Sequence, residues 1–172
     1  MEMKHSADSL YDSLLEILSR EIEIYRQIRE VMRDEKKILM KPSLEGLHES
    51  NARKETWILK AKLLEEVRDN IVRRIAGVLG IAVEDVTLSV LVSKTEGNRN
   101  KILKECQSEL NSLFREIRDL NEGNRALIST SLLFLRNSVE FMNDLMSPRA
   151  GYMDTGKMKV LNRNGKMLSV EG

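Results

Sequence analysis

The chain has 172 residues, of which 32% are charged and only 4% aromatic, with two prolines and one cysteine. That length makes one domain with a real core, and a composition so rich in charge suits long solvated helices better than a sheet or a large small-molecule pocket. The 28 basic and 27 acidic residues leave a net charge of +1 and are mixed along the chain, so there is no nucleic-acid footprint.

The pattern reads as an all-α antiparallel bundle of three long helices with a short connector helix, occupying residues 1–149, followed by a flexible tail over 150–172. Met1-Glu2-Met3-Lys4-His5 lacks the apolar stretch of a secretory signal, and the longest greasy segment, Ile75 to Val92, is interrupted by Glu84 and Asp85. A soluble, cytoplasmic chain without membrane insertion is the expectation. The first helix should start near Asp8 or Ser9, both good caps, and run to Met40 before Lys41-Pro42-Ser43 stops it. Its inward face is three columns wide: Leu10, Ile17, Ile24, Val31, Ile38; then Tyr11, Leu18, Tyr25, Met32, Leu39; then Leu14, Glu21, Ile28, Glu35. Two glutamates thus face the core. Ser43 should cap a second helix running to about Gly80 along the seam Leu47, Ser50, Lys54, Trp57, Ala61, Leu64, Arg68, Ile71, Ile75, Val78. Here Lys54 and Arg68 face inward.

A short link makes these two helices an antiparallel hairpin, in which facing residues have position numbers of constant sum. Glu21 with Arg68 and Glu35 with Lys54 share one sum, which predicts two ion pairs across the seam. The bland alternative is that each long side chain snorkels to solvent. Such pairs would specify register more than stability, because desolvation offsets much of the attraction.

Ile81 to Lys94 is a connector whose apolar turn, Val86 to Val92, is expected as a helix capped by Asp85. From Glu96 to Met146 apolar or small residues recur in strict 3-4 alternation: Leu103, Cys106, Leu110, Leu113, Ile117, Leu120, Asn124, Leu127, Ser131, Phe134, Ser138, Phe141, Leu145. A flanking column, Phe114, Asn121, Ile128, Leu135 and Met142, keeps the same step, and neither loses phase at Gly123. One continuous amphipathic helix of roughly 75 Å follows. Asn121 and Asn124 are two amides on its inward face, expected to bind a neighbouring helix or each other and to fix register. Asn124→Leu should therefore keep or raise the melting temperature while loosening register or promoting self-association.

Other patterns resemble chemistry without supplying it. Gly151-Tyr-Met-Asp-Thr-Gly156-Lys157 spells a phosphate loop, but Met158 stands where Ser or Thr would hold magnesium, and no βαβ unit surrounds it. Glu45-Gly-Leu-His48 matches one half of a di-metal bundle motif, yet the only other histidine is His5. Two histidines so placed assemble no catalytic triad, and Cys106 on the apolar seam reads as a small buried hydrophobe. No catalytic residue, metal or cofactor is expected. The Asn164-Gly165 turn between apolar flanks makes at most a marginal hairpin.

Glu21-x-x-x-Tyr25-x-x-Ile28, Glu35-Lys-Lys-Ile-Leu39, Lys54, Arg68, Leu120-Asn121-x-x-Asn124-x-x-Leu127 and Tyr152-Met-Asp-Thr-Gly156 occur in order. Together they resemble the FlgN-type flagellar export chaperones, over about Leu10 to Gly156. The resemblance implies a cytosolic helical chaperone that binds the C-terminal helical segments of flagellar hook-filament junction proteins and passes them to the export gate. It also implies Tyr152 as the contact with that gate. The segment from Lys157 to Gly172 has no counterpart in the pattern. The competing class is a structural coiled-coil adaptor, a homo-oligomer without a client; a weaker third is a di-metal bundle enzyme.

One column of the long helix points to where a client would bind. Every seventh position gives Lys104, Asn111, Arg118, Arg125, and then Leu132, Val139, Met146, so the column switches from polar to apolar. A first helix of about 50 Å cannot cover all of the long one, which leaves about Ser129 to Met146 partly unsheltered where its apolar stripe widens. The expected cargo surface is Leu132, Phe134, Leu135, Val139, Phe141, Met142, Leu145 and Met146. The alternative is that the helix bends back and the short Val86 to Val92 turn, or a second copy of the chain, covers these residues.

Overall fold

The computed structural model describes residues 2–41 and 43–146, with side chains described from Asp8 onward. Helix α1 spans Glu2–Met40, α2 Leu44–Leu79, a 3₁₀ turn Val83–Asp85, α3 Leu88–Lys94 and α4 Gly97–Met146. Among the described residues there is no strand. The chain divides into two compact units, 1–128 and 129–172; the boundary expected at 149/150, and the tail beyond it, lie outside the described residues.

In the first unit, ends and turns follow local chemistry. The Ser43 hydroxyl caps α2 by accepting from the Gly46 N–H at 3.2 Å. Gly80 closes α2 at φ 66°, with its N–H and that of Ile81 returning to the Ala76 carbonyl. That positive φ is where glycine is needed. Helix α3 is capped by Thr87, whose hydroxyl accepts from the Val90 N–H at 3.2 Å. Asp85 instead ends the 3₁₀ turn, correcting the expected cap, because the chain needs that extra turn before α3 can start. Helix α1 likewise begins at Glu2 and not at Asp8 or Ser9. Both lie inside the helix: the Asp8 carboxylate accepts from Arg99 at 2.7 Å, and the Ser9 carbonyl accepts from the Ser13 hydroxyl.

Direction along the bundle is fixed by side-chain partners. Between α1 and α2 the partners' numbers run oppositely, Glu21 meeting Arg68 and Glu35 meeting Lys54. Between α1 and α4 they rise together: Asp8 and Asp12 meet Arg99, Arg26 meets Glu109, and Arg29 and Arg33 meet Glu116. Within 1–128, α1 and α4 are therefore parallel to each other and antiparallel to α2, with the 3₁₀ turn and α3 making the crossover. Most of the α1–α4 bridges are partly solvated, so each stabilises by about 0–1 kcal/mol and serves alignment more than strength.

The main core joins Leu14, Leu18 and Ile22 of α1, Ile71 and Ile75 of α2, Leu91 of α3, and Leu103, Cys106, Leu110 and Leu113 of α4. A smaller cluster of Ile28, Met32 and Ala61, with Trp57, Ile117 and Leu120 against it, lies further along. Helix α4 buries only one stripe there. Phe114 and Ile128, in its flanking column, are 44% and 40% exposed, because among the described residues no further helix covers that column. Phe114 still packs edge-on against Tyr25 with ring centroids 4.8 Å apart. Val78, expected on the α2 seam, is half exposed, while Ala76 beside it is buried.

Candidate functional site

Glu21 has no exposed surface, and both its carboxylate oxygens accept from one nitrogen of Arg68, at 3.0 and 3.1 Å. Arg68 keeps about a quarter of its side chain in solvent and also bridges to Glu65, so its charge is shared while that of Glu21 is not. Burial pushes the Glu21 carboxyl above its ordinary range, and Arg68 pulls it back only in part.

One helical level further on, Glu35 joins all three long helices. Its Oε1 accepts from Lys54 Nζ of α2 at 2.6 Å, and its Oε2 from Asn124 Nδ2 of α4 at 2.9 Å. The same Asn124 nitrogen also donates to the Met32 carbonyl at 2.9 Å, so a single amide ties α4 to the backbone and a side chain of α1. Glu35 and Asn124 are 4% and 2% exposed. Asn121 does not join them. It is exposed, a correction to its expected inward placement, because it belongs to the same uncovered flanking column as Phe114. The two asparagines looked equivalent in sequence; what separates them is that among the described residues no further helix covers the column of Asn121.

The second unit, described over 129–146 of α4, carries a different kind of surface. Leu132 (61%), Phe134 (71%) and Met146 (73%) are exposed, as are Leu133, Leu135, Val139, Phe141, Met142 and Leu145. Only Ser138 is half-buried, its hydroxyl donating back to the Phe134 carbonyl. The helix is held by its own backbone and by local pairs such as Arg136 with Glu140 at 3.0 Å. All eight residues expected as a cargo surface therefore present apolar side chains to water on one helix of about 27 Å. Leu133 was not among them. It stands apart from both apolar columns, beside Arg136, Asn137 and Glu140 on the helical wheel, so periodicity gave no reason to include it.

Tyr152 and the Gly151–Lys157 segment lie outside the described residues. Glu45 and His48 are exposed, and among the described residues no three of His, Cys, Asp and Glu gather where they could hold a metal ion. Burial pushes the Cys106 thiol up, with Glu109 and Glu105 adding to the effect, the opposite of what a nucleophilic thiolate needs. Among the described residues no helix is long and apolar enough to cross a membrane.

Arg68→Met should cost about 3 kcal/mol in urea unfolding at neutral pH, because it strands a buried carboxylate, whereas Arg68→Met with Glu21→Leu should recover to wild-type stability or above. A double variant no better than the single one would contradict this. The Glu21 carboxyl holds its proton to higher pH when folded than the value of about 4.3 it has when unfolded, so the folded state binds more protons in that window and stability falls as pH rises through it. Relative to Glu21→Gln, wild type should accordingly lose ground as pH rises above about 4.3, and a gain would refute the direction.

Asn124→Leu leaves Glu35 Oε2 without its described donor in a buried site, which reverses the expectation drawn from sequence. A loss of about 1–3 kcal/mol is predicted by denaturant titration. An unchanged midpoint would mean that water or Lys54 replaces the amide.

Comparison with known proteins bears on what such a molecule is for. No curated protein and no solved structure matches the chain. The family model described as FlgN protein matches residues 1–159, taking in both ion pairs, the Asn124 contact and the exposed apolar helix. The chain belongs to the FlgN family, and with it to the flagellar export chaperones.

Proposed function

We propose that the chain holds the C-terminal helical segments of flagellar hook-filament junction proteins on residues 129–146 of α4, keeps them from assembling early, and delivers them to the flagellar export gate. The observation that carries this reading is the run of exposed large apolar side chains from Leu132 to Met146. A monomer rarely leaves so much contiguous apolar surface in water unless it binds something. Chains that polymerise through apolar terminal helices need those faces covered until secretion, and a helix exposing Leu132, Leu135, Val139, Met142 and Met146 along one side meets an amphipathic client at i, i+3, i+4 and i+7 spacing. The two methionines adapt to more than one partner. The function is binding in the cytoplasm, with no cofactor and no turnover. Tyr152 is the proposed contact with the export gate, on the strength of the motif that resembles the family, and Tyr152→Ala should reduce gate binding and motility while client capture persists.

Each large apolar side chain covered by a client contributes about 1.5–3 kcal/mol, so losing three weakens binding at least about a hundredfold. Leu132→Asp, Val139→Asp and Met146→Asp combined should leave helical content and the unfolding midpoint near wild type, since these side chains are already exposed. In a titration with a junction-protein terminal peptide, capture should be abolished. Retained binding, or collapse of the fold, would show that the column is not a client surface.

A further inference from the structure

The face of 129–146 holds a second column whose order is self-complementary. Ser131, Phe134, Ser138, Phe141 and Leu145 follow one another at strict 3-4-3-4 spacing, the seam positions of a coiled coil. Large and small residues alternate along it. If a second copy of the helix is laid antiparallel about a two-fold axis at Arg136, Phe134 falls opposite the partner copy's serine at position 138, and Phe141 opposite that at 131. Every ring then meets a small residue, as interdigitating layers require, and each layer pairs the two kinds of seam position that antiparallel helices bring together. The neighbouring positions agree. On one flank Leu135 faces its own equivalent and Met142 adds apolar surface, while on the other Asn137 faces its equivalent without a like-charge clash.

Phe134 and Phe141 are 71% and 64% exposed in the single chain, so the seam is unoccupied by the chain's other described residues. Phe134, Leu135, Phe141 and Met142 from each copy, with Leu145 falling opposite Leu127 of the other copy, would bury about 1,000 Å² in all, at the lower edge of what a specific interface needs. We infer that residues 129–146 form an antiparallel homodimer centred on Arg136, stable in the micromolar range. This uses part of the surface assigned to the client but does not rest on that assignment. Leu132, Val139 and Met146 lie off the seam, so their Asp variants keep the dimer even where client capture is lost, and the two readings fail separately.

The test uses the full chain. Sedimentation velocity from 1 to 200 µM should show a monomer–dimer equilibrium, and Phe134→Asp with Phe141→Asp should weaken it at least tenfold with helical content unchanged. Spin labels at Arg136 or at Asn143, placed one at a time with Cys106→Ala, read the direction. Both positions are on the outer side of the seam. Antiparallel pairing puts the two labels level at 136 and about 21 Å further apart along the axis at 143, whereas parallel pairing gives equal distances. A monomer throughout, an unaffected dimer in the Phe134→Asp, Phe141→Asp variant, or equal distances at both positions would overturn the inference.

Discussion

The three long helices of the first unit meet at one carboxylate. Glu35 is buried, and an ionised carboxylate taken out of water costs several kcal/mol unless its oxygens are satisfied. Lys54 of α2 supplies a charge and Asn124 of α4 supplies an amide to the other oxygen. Sliding any helix past the others by one turn would remove one of those donors. The apolar layers on either side tolerate such a slip far better, since Leu, Ile and Val interchange at modest cost. Register is therefore held by the polar node and cohesion by the hydrophobic clusters, with the Glu21–Arg68 pair repeating the arrangement between α1 and α2 alone.

Where the node sits matters for function. Glu35 lies near the end of α1, at Met40, and Asn124 near the end of the first unit, at residue 128. Burial along α4 stops at Asn124, after Leu103, Cys106, Leu110 and Leu113. One helix thus has two regimes: a segment whose apolar stripe is buried by its neighbours in the first unit, and a segment whose stripe is wider and exposed. The same heptad pattern runs through both, so the difference comes from neighbours and not from the helix itself. A segment that is already helical before it meets a partner loses less conformational freedom on capture than a loose peptide would.

Much of this could be read from the sequence, for reasons particular residues make plain. A two-helix hairpin with a short link constrains pairing so tightly that the sum of position numbers singles out Glu21 with Arg68 and Glu35 with Lys54. Ser43 and Gly80 are strong local stop signs, and α2 ends at both. The relation of α4 to α1 was not legible, because a long crossover imposes no such sum; Arg26, Arg29, Arg33, Glu109 and Glu116 looked like solvated charges until the structure aligned them. Asn121 was misplaced because periodicity reports which residues share a face, not how many neighbours exist to cover it. The start of α1 was missed because Asp8 serves Arg99 and leaves no cap where one was expected. For 129–146, the seven-residue column ending in Leu132, Val139 and Met146 revealed an apolar surface, and the shorter length of the first helix already implied that it would lie partly unsheltered.

Amide hydrogen exchange along α4 tests this division most directly. At low micromolar concentration the amides from Leu103 to Asn124 should exchange only through opening of the whole bundle, while those from Leu132 to Leu145 exchange orders of magnitude faster. Adding a junction-protein terminal peptide should slow the second group and leave the first unchanged. Uniform protection along α4 without peptide, or slowing confined to Leu103–Asn124 when peptide is added, would contradict it.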